Sequence, residues 1–160
     1  EQIGLEIKNG ICVNEYMQTN DPDIYAIGDC TSFVNNKMYL RLESIQNAVD
    51  QSKVAASNIL SIKEKYFPTP WFWSDQFDIK FKSVGLLPKV YTTITKKGKK
   101  EGSKSFWSFE GENFKCIETI NDPQSFMVAK QILQDKSIKL SKEKLINSEF
   151  NLKSILNNQR

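Results

Sequence analysis

The chain has 160 residues, room for one ordinary domain or two small ones, and its 39% apolar and 26% charged composition is that of a globular rather than a disordered chain. Its 22 basic and 19 acidic residues are too evenly balanced to mark a nucleic-acid binder, and no apolar run approaches the ~20 residues of a membrane span. It has no histidine, which removes Ser-His-Asp and Cys-His catalysis and the usual zinc and haem ligand sets, and its three unclustered cysteines, Cys12, Cys30 and Cys116, fit a reducing, cytoplasmic setting.

In chain order, residues 6–13 predict two short strands joined at the tight-turn pair Asn9-Gly10. The turn Asp21-Pro22-Asp23 leads into four consecutive apolar residues, Ile24 to Ile27, which predict a strand buried on both faces of a parallel sheet. Gly28 lets a ligand approach the backbone closely, and Asp29 is expected to project beyond the strand's carboxyl end, where open α/β sheets bind ligands. Ionised, Asp29 accepts hydrogen bonds and suits a sugar or ribityl hydroxyl; as a bare pattern it is equally a turn cap. Asn35-Asn36-Lys37 predicts a turn and Met38-Tyr39-Leu40 a short strand. Ser44 is a good N-cap for a helix running to about Ile62, with Ile45, Ala48, Val49, Ser52, Ala55 or Ala56, Ile59 and Leu60 at helical spacing. The connector Tyr66-Phe67-Pro68-Thr69-Pro70 marks a domain boundary, giving domains 1–72 and 73–160.

Beyond it, Gln76 to Lys82 alternates apolar and polar as a half-solvated strand, and Val90 to Thr95 is a second, β-branched one. Lys96 to Lys104 is a basic loop with two glycines. Ser105 to Phe109 and Phe114 to Ile120 pair as a hairpin. Asn121 or Asp122 caps a helix with Pro123 in its first turn and Phe126, Ala129, Ile132 and Leu133 on its apolar face. About the last twenty residues predict one or two short helices, with Ser141 as cap and Phe150, Leu152, Ile155 and Leu156 as the apolar set. No internal repeat is visible.

Two further segments carry chemistry. Arg41 to Ala48 precedes and opens the long helix, and a helix start offers unpaired N–H groups and about half a positive charge. Such a start can stabilise a negatively charged ligand group, or it is a plain cap with a solvated acidic neighbour. Pro70 to Gln76 contains three aromatics in a row, a pattern that on its own reads as core.

Thr19 to Cys30 resembles the second FAD motif of two-dinucleotide-fold flavoprotein reductases, whose aspartate, here Asp29, contacts the ribityl chain. The segment Glu43-Ser44-Ile45-Gln46-Asn47 is similar to the one that lies along the isoalloxazine edge in that family. Pro70 to Gln76 resembles the start of the C-terminal domain in ferredoxin reductases of the putidaredoxin reductase and biphenyl dioxygenase reductase type. There the tryptophan of the Phe-Trp-Ser-Asp signature, here Trp73, sits beside the flavin and helps wall off its nicotinamide side. The resemblance implies a fold class: an α/β fragment of a two-dinucleotide-fold FAD domain, then an α+β C-terminal domain with an antiparallel sheet and C-terminal helices. It implies FAD as cofactor, NAD(P)H in the intact protein, and a ferredoxin or rubredoxin as electron acceptor. Hydride would pass to the flavin and single electrons would leave to the iron–sulfur protein. Gly28, Asp29, Glu43, Ser44, Ile45, Asn47 and Trp73 would bind the cofactor, with no catalytic or metal-binding residue in the chain.

The family's Gly-x-Gly-x-x-Gly loop for the FAD pyrophosphate does not occur here, nor does its NAD domain, so the chain is expected to be a C-terminal fragment. The absence of an initiator Met points the same way, and the first residues do not resemble a signal peptide. The disulfide reductases that share the FAD motif need a C-terminal His-Glu pair, which a chain without histidine lacks. Flavoproteins of the apoptosis-inducing-factor type, which act by interaction, resemble the same segments but carry His at the position of Ser44. A cofactor-free interaction domain is the remaining alternative. The basic loop is either a solvated hairpin tip or a steering aid for an acidic ferredoxin; with no aromatic in it, nucleic-acid stacking is unsupported.

Overall fold

The computed structural model describes residues 2–35, 38–147 and 154–157. The chain divides into two compact units, Glu1–Pro68 and Thr69–Arg160.

In the first unit the Asn9-Gly10 turn forms as expected, with φ of 53° and 137°. The strand expected before it shrinks to one antiparallel bridge between Ile7 and Ile11. After the turn comes β1 (Ile11–Val13), which pairs in parallel with β2 (Thr31–Asn35), Val13 lying opposite Phe33. Gly10 is required there, because a Cβ would stand 2.9 Å from the Cys30 carbonyl oxygen. The antiparallel partner of β2 is β3 (Met38–Leu40), the short strand expected from sequence. Asn36 and Lys37 of the turn expected between them lie outside the described residues.

The buried parallel strand expected at Ile24–Ile27 does not form. The backbone of this segment is committed to residues just before it: Thr19 N–H donates to Ile24 O, Ile24 N–H to Asp21 O, and Ala26 N–H to Met17 O. Tyr25 makes a single antiparallel bridge with Gln18. Tyr25 and Ala26 turn inward onto a core of Val13, Met17, Phe33, Val54, Ala55 and Tyr66, while Ile27 stays exposed. Gly28–Cys30 then makes one tight helical turn.

The long helix is α1 (Ile45–Ile59), with Ser44 Oγ accepting the Asn47 N–H at 3.2 Å. It ends before the expected Ile62 because Ser61 takes a φ of 65°. Of the row expected from sequence only Ala55 is buried. Ile45, Val49, Ile59 and Leu60 are exposed, and Asn47, Gln51, Val54 and Ala55 face inward. The turn at Gly28–Cys30 packs against α1. An irregular buried backbone needs polar side chains to satisfy its N–H and C=O groups, which is why amides occupy this face.

The second unit is a five-stranded antiparallel sheet of order β4-β5-β8-β7-β6. Gln76 to Lys82 is not one strand. It holds the turn between β4 (Trp71–Gln76) and β5 (Ile79–Gly85), with Phe77 fully exposed at a φ of 56°. Trp71 and Phe72, placed in the first domain on sequence, therefore belong to the second unit. β6 (Thr92–Lys97) starts two residues later than the expected Val90, which is exposed. β7 (Lys104–Glu110) and β8 (Asn113–Ile120) form the expected hairpin, with a register shift between Ser108 and Phe109.

Over β5 and β8 lies α2 (Pro123–Gln134), capped by Asp122, whose Oδ1 accepts the Ser125 N–H at 3.1 Å. Val84, Trp107, Phe109 and Ile117 of the sheet pack with Phe126, Val128, Ala129 and Ile132 of the helix. Leu140 and Leu145 complete this core, Leu145 from α3 (Lys142–Ile146), and Ile155 of α4 (Ser154–Asn157) packs against it. Phe150, Leu152 and the Leu156 side chain lie outside the described residues. The basic stretch is strand only at its ends, where Lys96 and Lys97 finish β6 and Lys104 starts β7, and is the connecting loop between them. Lys96 Nζ donates to the carbonyls of Leu145 (2.7 Å) and Asn147 (3.2 Å), and partial burial lowers its pKa. No helix of the described residues is long and apolar enough to cross a membrane.

Candidate functional site

Gly28 and Asp29 occupy the turn between the Tyr25–Ile27 loop and β2. Asp29 thus lies just before the amino end of a strand, not beyond a carboxyl end as expected. Gly28 is buried at a φ of 78°, and a Cβ there would stand 3.5 Å from the Ala48 Cβ of α1. Gln51 Oε1, one turn further along α1, accepts the Gly28 N–H at 2.6 Å. Thr31 Oγ1 closes the turn from the other side, 2.8 Å from Gly28 O and 3.0 Å from Gln51 Oε1. The Asp29 side chain is exposed on the outside of a turn whose inside is pinned to the helix.

The α1 start holds four of the expected site residues, and they divide by environment. Ser44 is spent on the Asn47 N–H. Ile45 is 69% exposed on the helix's first turn, where main-chain N–H groups have no intrahelical acceptor. Glu43 is exposed and ion-paired with Arg41 at 2.8 Å. Asn47 is different: its side chain is buried, Nδ2 donates to Leu42 O at 3.0 Å, and Oδ1 accepts the Tyr66 hydroxyl at 2.7 Å. It braces the helix start from within.

Trp73, in the second unit, is on β4, an edge strand of the sheet. Trp71 and Trp73 alternate with Phe72, so the two tryptophans share a face. Trp71 packs on the core, 5.9 Å from the Phe126 ring with Lys130 Nζ 4.3 Å from its own centroid. Trp73 remains 43% exposed and is no core residue of its unit.

Sequence reasoning missed Gln51. The signal was present in the spacing, since Asn47 and Gln51 are four apart and so share a helix face. Two amides on one stripe read as solvent-facing until the turn they serve is known.

The pyridine nucleotide-disulphide oxidoreductase family matches residues 1–52, and the reductase C-terminal family matches residues 71–156. Rhodocoxin reductase of Rhodococcus erythropolis is 37% identical over 94% of this chain and 35% of its own length. Putidaredoxin reductase CamA of Pseudomonas putida is 36% identical over 83% of this chain and 32% of its own length. The reductase of a covalent putidaredoxin reductase–putidaredoxin complex superposes with a TM-score of 0.88 at 32% identity, covering 98% of this chain and 38% of that one. The chain spans about a third of the length of the curated relatives it matches. Its α/β first unit, the five-stranded antiparallel sheet of its second and the family match across that sheet agree: the chain belongs to the reductase C-terminal family.

Proposed function

We propose that this chain is part of an FAD-dependent NAD(P)H:ferredoxin or rubredoxin reductase, contributing the returning segment of the FAD-binding domain and, from about residue 70, the reductase C-terminal domain. The observation that carries the reading is the joining of the Gly28–Asp29 turn to α1 through Gln51. One small unit thereby offers both an acceptor carboxylate and a helix start.

The residues present suit FAD. When bound, FAD supplies a ring that takes two electrons with a hydride and releases them singly. Asp29 would accept hydrogen bonds from ribityl hydroxyls, which a carboxylate does and a carbonyl-poor apolar turn does not. The first N–H groups of α1, at Ile45 and its neighbours, would stabilise negative charge on the ring edge, with Glu43 and Ser44 flanking them. The half-exposed Trp73 ring offers a flat apolar surface that excludes water from a planar cofactor. An iron–sulfur acceptor is supported by the names of the relatives, putidaredoxin reductase and rubredoxin-NAD(+) reductase among them. The free, exposed Cys30 thiol supports a reducing, cytoplasmic setting.

Expression of the full reading frame that encodes these residues tests the proposal. The product should purify with flavin absorbance and reduce a ferredoxin or rubredoxin with NAD(P)H. A colourless product would refute the FAD assignment, and a yellow one inert towards every iron–sulfur acceptor would leave an interaction flavoprotein instead.

A further inference from the structure

Gln51 is wholly buried in α1, yet only half of its amide is used. Its Oε1 accepts the Gly28 N–H at 2.6 Å and stands 3.0 Å from Thr31 Oγ1, while its Nε2 is buried without a partner among the described residues. The amide cannot be turned the other way, because the Gly28 N–H only donates and must face the oxygen. An orphaned buried donor is unfavourable. Leucine or methionine would fill the space without one, and glutamate would trade it for a buried carboxylate. Glutamine is the neutral side chain of this reach that ends in a carbonyl. What the position supplies is therefore an acceptor for one main-chain N–H, that of the residue before Asp29.

We infer that Gln51 is a positioning residue for the cofactor site: it fixes the Gly28–Asp29 turn on α1 and so presets the Asp29 carboxylate for the flavin's ribityl chain. Gln51 acts through the turn, since its own amide is enclosed. The inference rests on the FAD reading above. Without the acceptor, Gly28 would carry an unsatisfied buried N–H at a left-handed φ of 78°, and the turn would open to give that group to water.

Two measurements separate the inference from the reading beneath it. In the 160-residue chain, hydrogen exchange of the Gly28 amide is compared with that of Val54 and Ala55 in α1. Gln51→Leu should speed Gly28 exchange by about tenfold while the helix amides hold, and Gln51→Glu, which keeps the acceptor, should restore protection. Gln51→Met, unbranched and similar in length, repeats the test if leucine prevents folding. In the longer flavoprotein, FAD affinity and flavin reduction potential are measured for Gln51→Leu, Asp29→Ala and the double variant. Each single variant should weaken FAD by about tenfold and shift the potential, and the double variant should be no worse than Asp29→Ala, because one residue works through the other. Unchanged Gly28 exchange in Gln51→Leu and Gln51→Met, or additive losses in the double variant, would overturn the inference and leave the FAD reading standing. Fast Gly28 exchange with FAD affinity unmoved by Asp29→Ala would overturn the FAD reading, and the inference with it.

Discussion

Tyr66 donates its hydroxyl proton to Asn47 Oδ1 at 2.7 Å, tying the connector beyond α1 back to the first turn of that helix. Both side chains are buried, so the bond is shielded from solvent. Tyr66→Phe keeps the ring against Phe33, 5.2 Å away between centroids, but leaves the Asn47 oxygen unpaired. The expected loss is about 1–3 kcal/mol, confined to the first unit. Denaturant unfolding followed separately in the two units checks it, and equal loss in both would contradict the assignment.

The chain should lose stability in alkali. Burial, and after it the charge of Glu118, pushes the Cys116 thiol from its ordinary 9.0 up to about 12. Burial, then Asp50, raises the Tyr66 phenol in the same direction. Each group keeps its proton longer in the folded chain than in the unfolded one. Their stabilising contribution is complete below the unfolded pKa and falls as pH rises through the folded one. For Cys116 that window is 9 to about 12. Melting temperatures recorded from pH 8 upwards should decline past pH 9, and Cys116→Ala should flatten the decline in the second unit, whatever it does to stability at neutral pH.

Trp71 and Trp73 separate packing from function. Trp71→Ala removes a ring from the core and should cost about 3 kcal/mol. Trp73→Ala removes a half-exposed ring and should cost about 1 kcal/mol or less. In the full-length flavoprotein proposed above the order should reverse. Trp73→Ala should uncouple NAD(P)H consumption from ferredoxin reduction and release hydrogen peroxide, because water and dioxygen reach the ring. A Trp73→Ala protein that melts much lower but stays fully coupled would make this tryptophan structural.

Gly10 and Gly28 both sit at positive φ, but their surroundings differ. A Cβ at Gly10 meets Cys30 O at 2.9 Å and the Thr31 carbonyl carbon at 3.1 Å, both main chain where the Gly28–Cys30 turn enters β2. At Gly28 the nearest atom is the Ala48 Cβ, at an ordinary 3.5 Å. Gly28→Ala should therefore cost only the left-handed backbone, about 1–2 kcal/mol, and Gly10→Ala appreciably more. Thermal melts of the two variants give the order directly.

What could be read from the sequence was what local chemistry decides. Ser44 and Asp122 cap their helices because each oxygen reaches an N–H three residues on. The β7–β8 hairpin likewise follows from two aromatic- and β-branched-rich runs around a short polar turn. Where distant partners decide, the pattern misleads. Ile24–Ile27 has the composition of a buried strand, yet residues 17–21 take its hydrogen bonds. The apolar row of α1 suggested its inward face, but the Gly28 turn needed amides and so Asn47 and Gln51 face inward. Phe77 at a left-handed turn defies the usual glycine or asparagine preference and hid the β4–β5 hairpin inside an apparently continuous strand. Asp29, Glu43, Ser44, Ile45 and Asn47 could be named by motif, but not the distinction between a buried brace such as Asn47 and an exposed group such as Asp29.

The strand order of the second unit also sets the sequence of events by which it assembles. β8 is central, and its hairpin with β7 closes over a two-residue loop, bringing Trp107 opposite Ile117. Joining β5 to β8 must enclose β6 and β7, a far longer loop whose entropy is lost before the contacts form. The β7–β8 hairpin, which carries Trp107, Phe109 and Ile117 of the core, is thus the natural nucleus, and the β4–β5 hairpin, closed over its own two-residue turn, joins it when β5 docks on β8. Shortening Ile117 should slow refolding, whereas shortening Trp71 should mainly hasten unfolding. Folding and unfolding arms measured across denaturant would show the two residues, both at the same core, acting on opposite sides of one barrier.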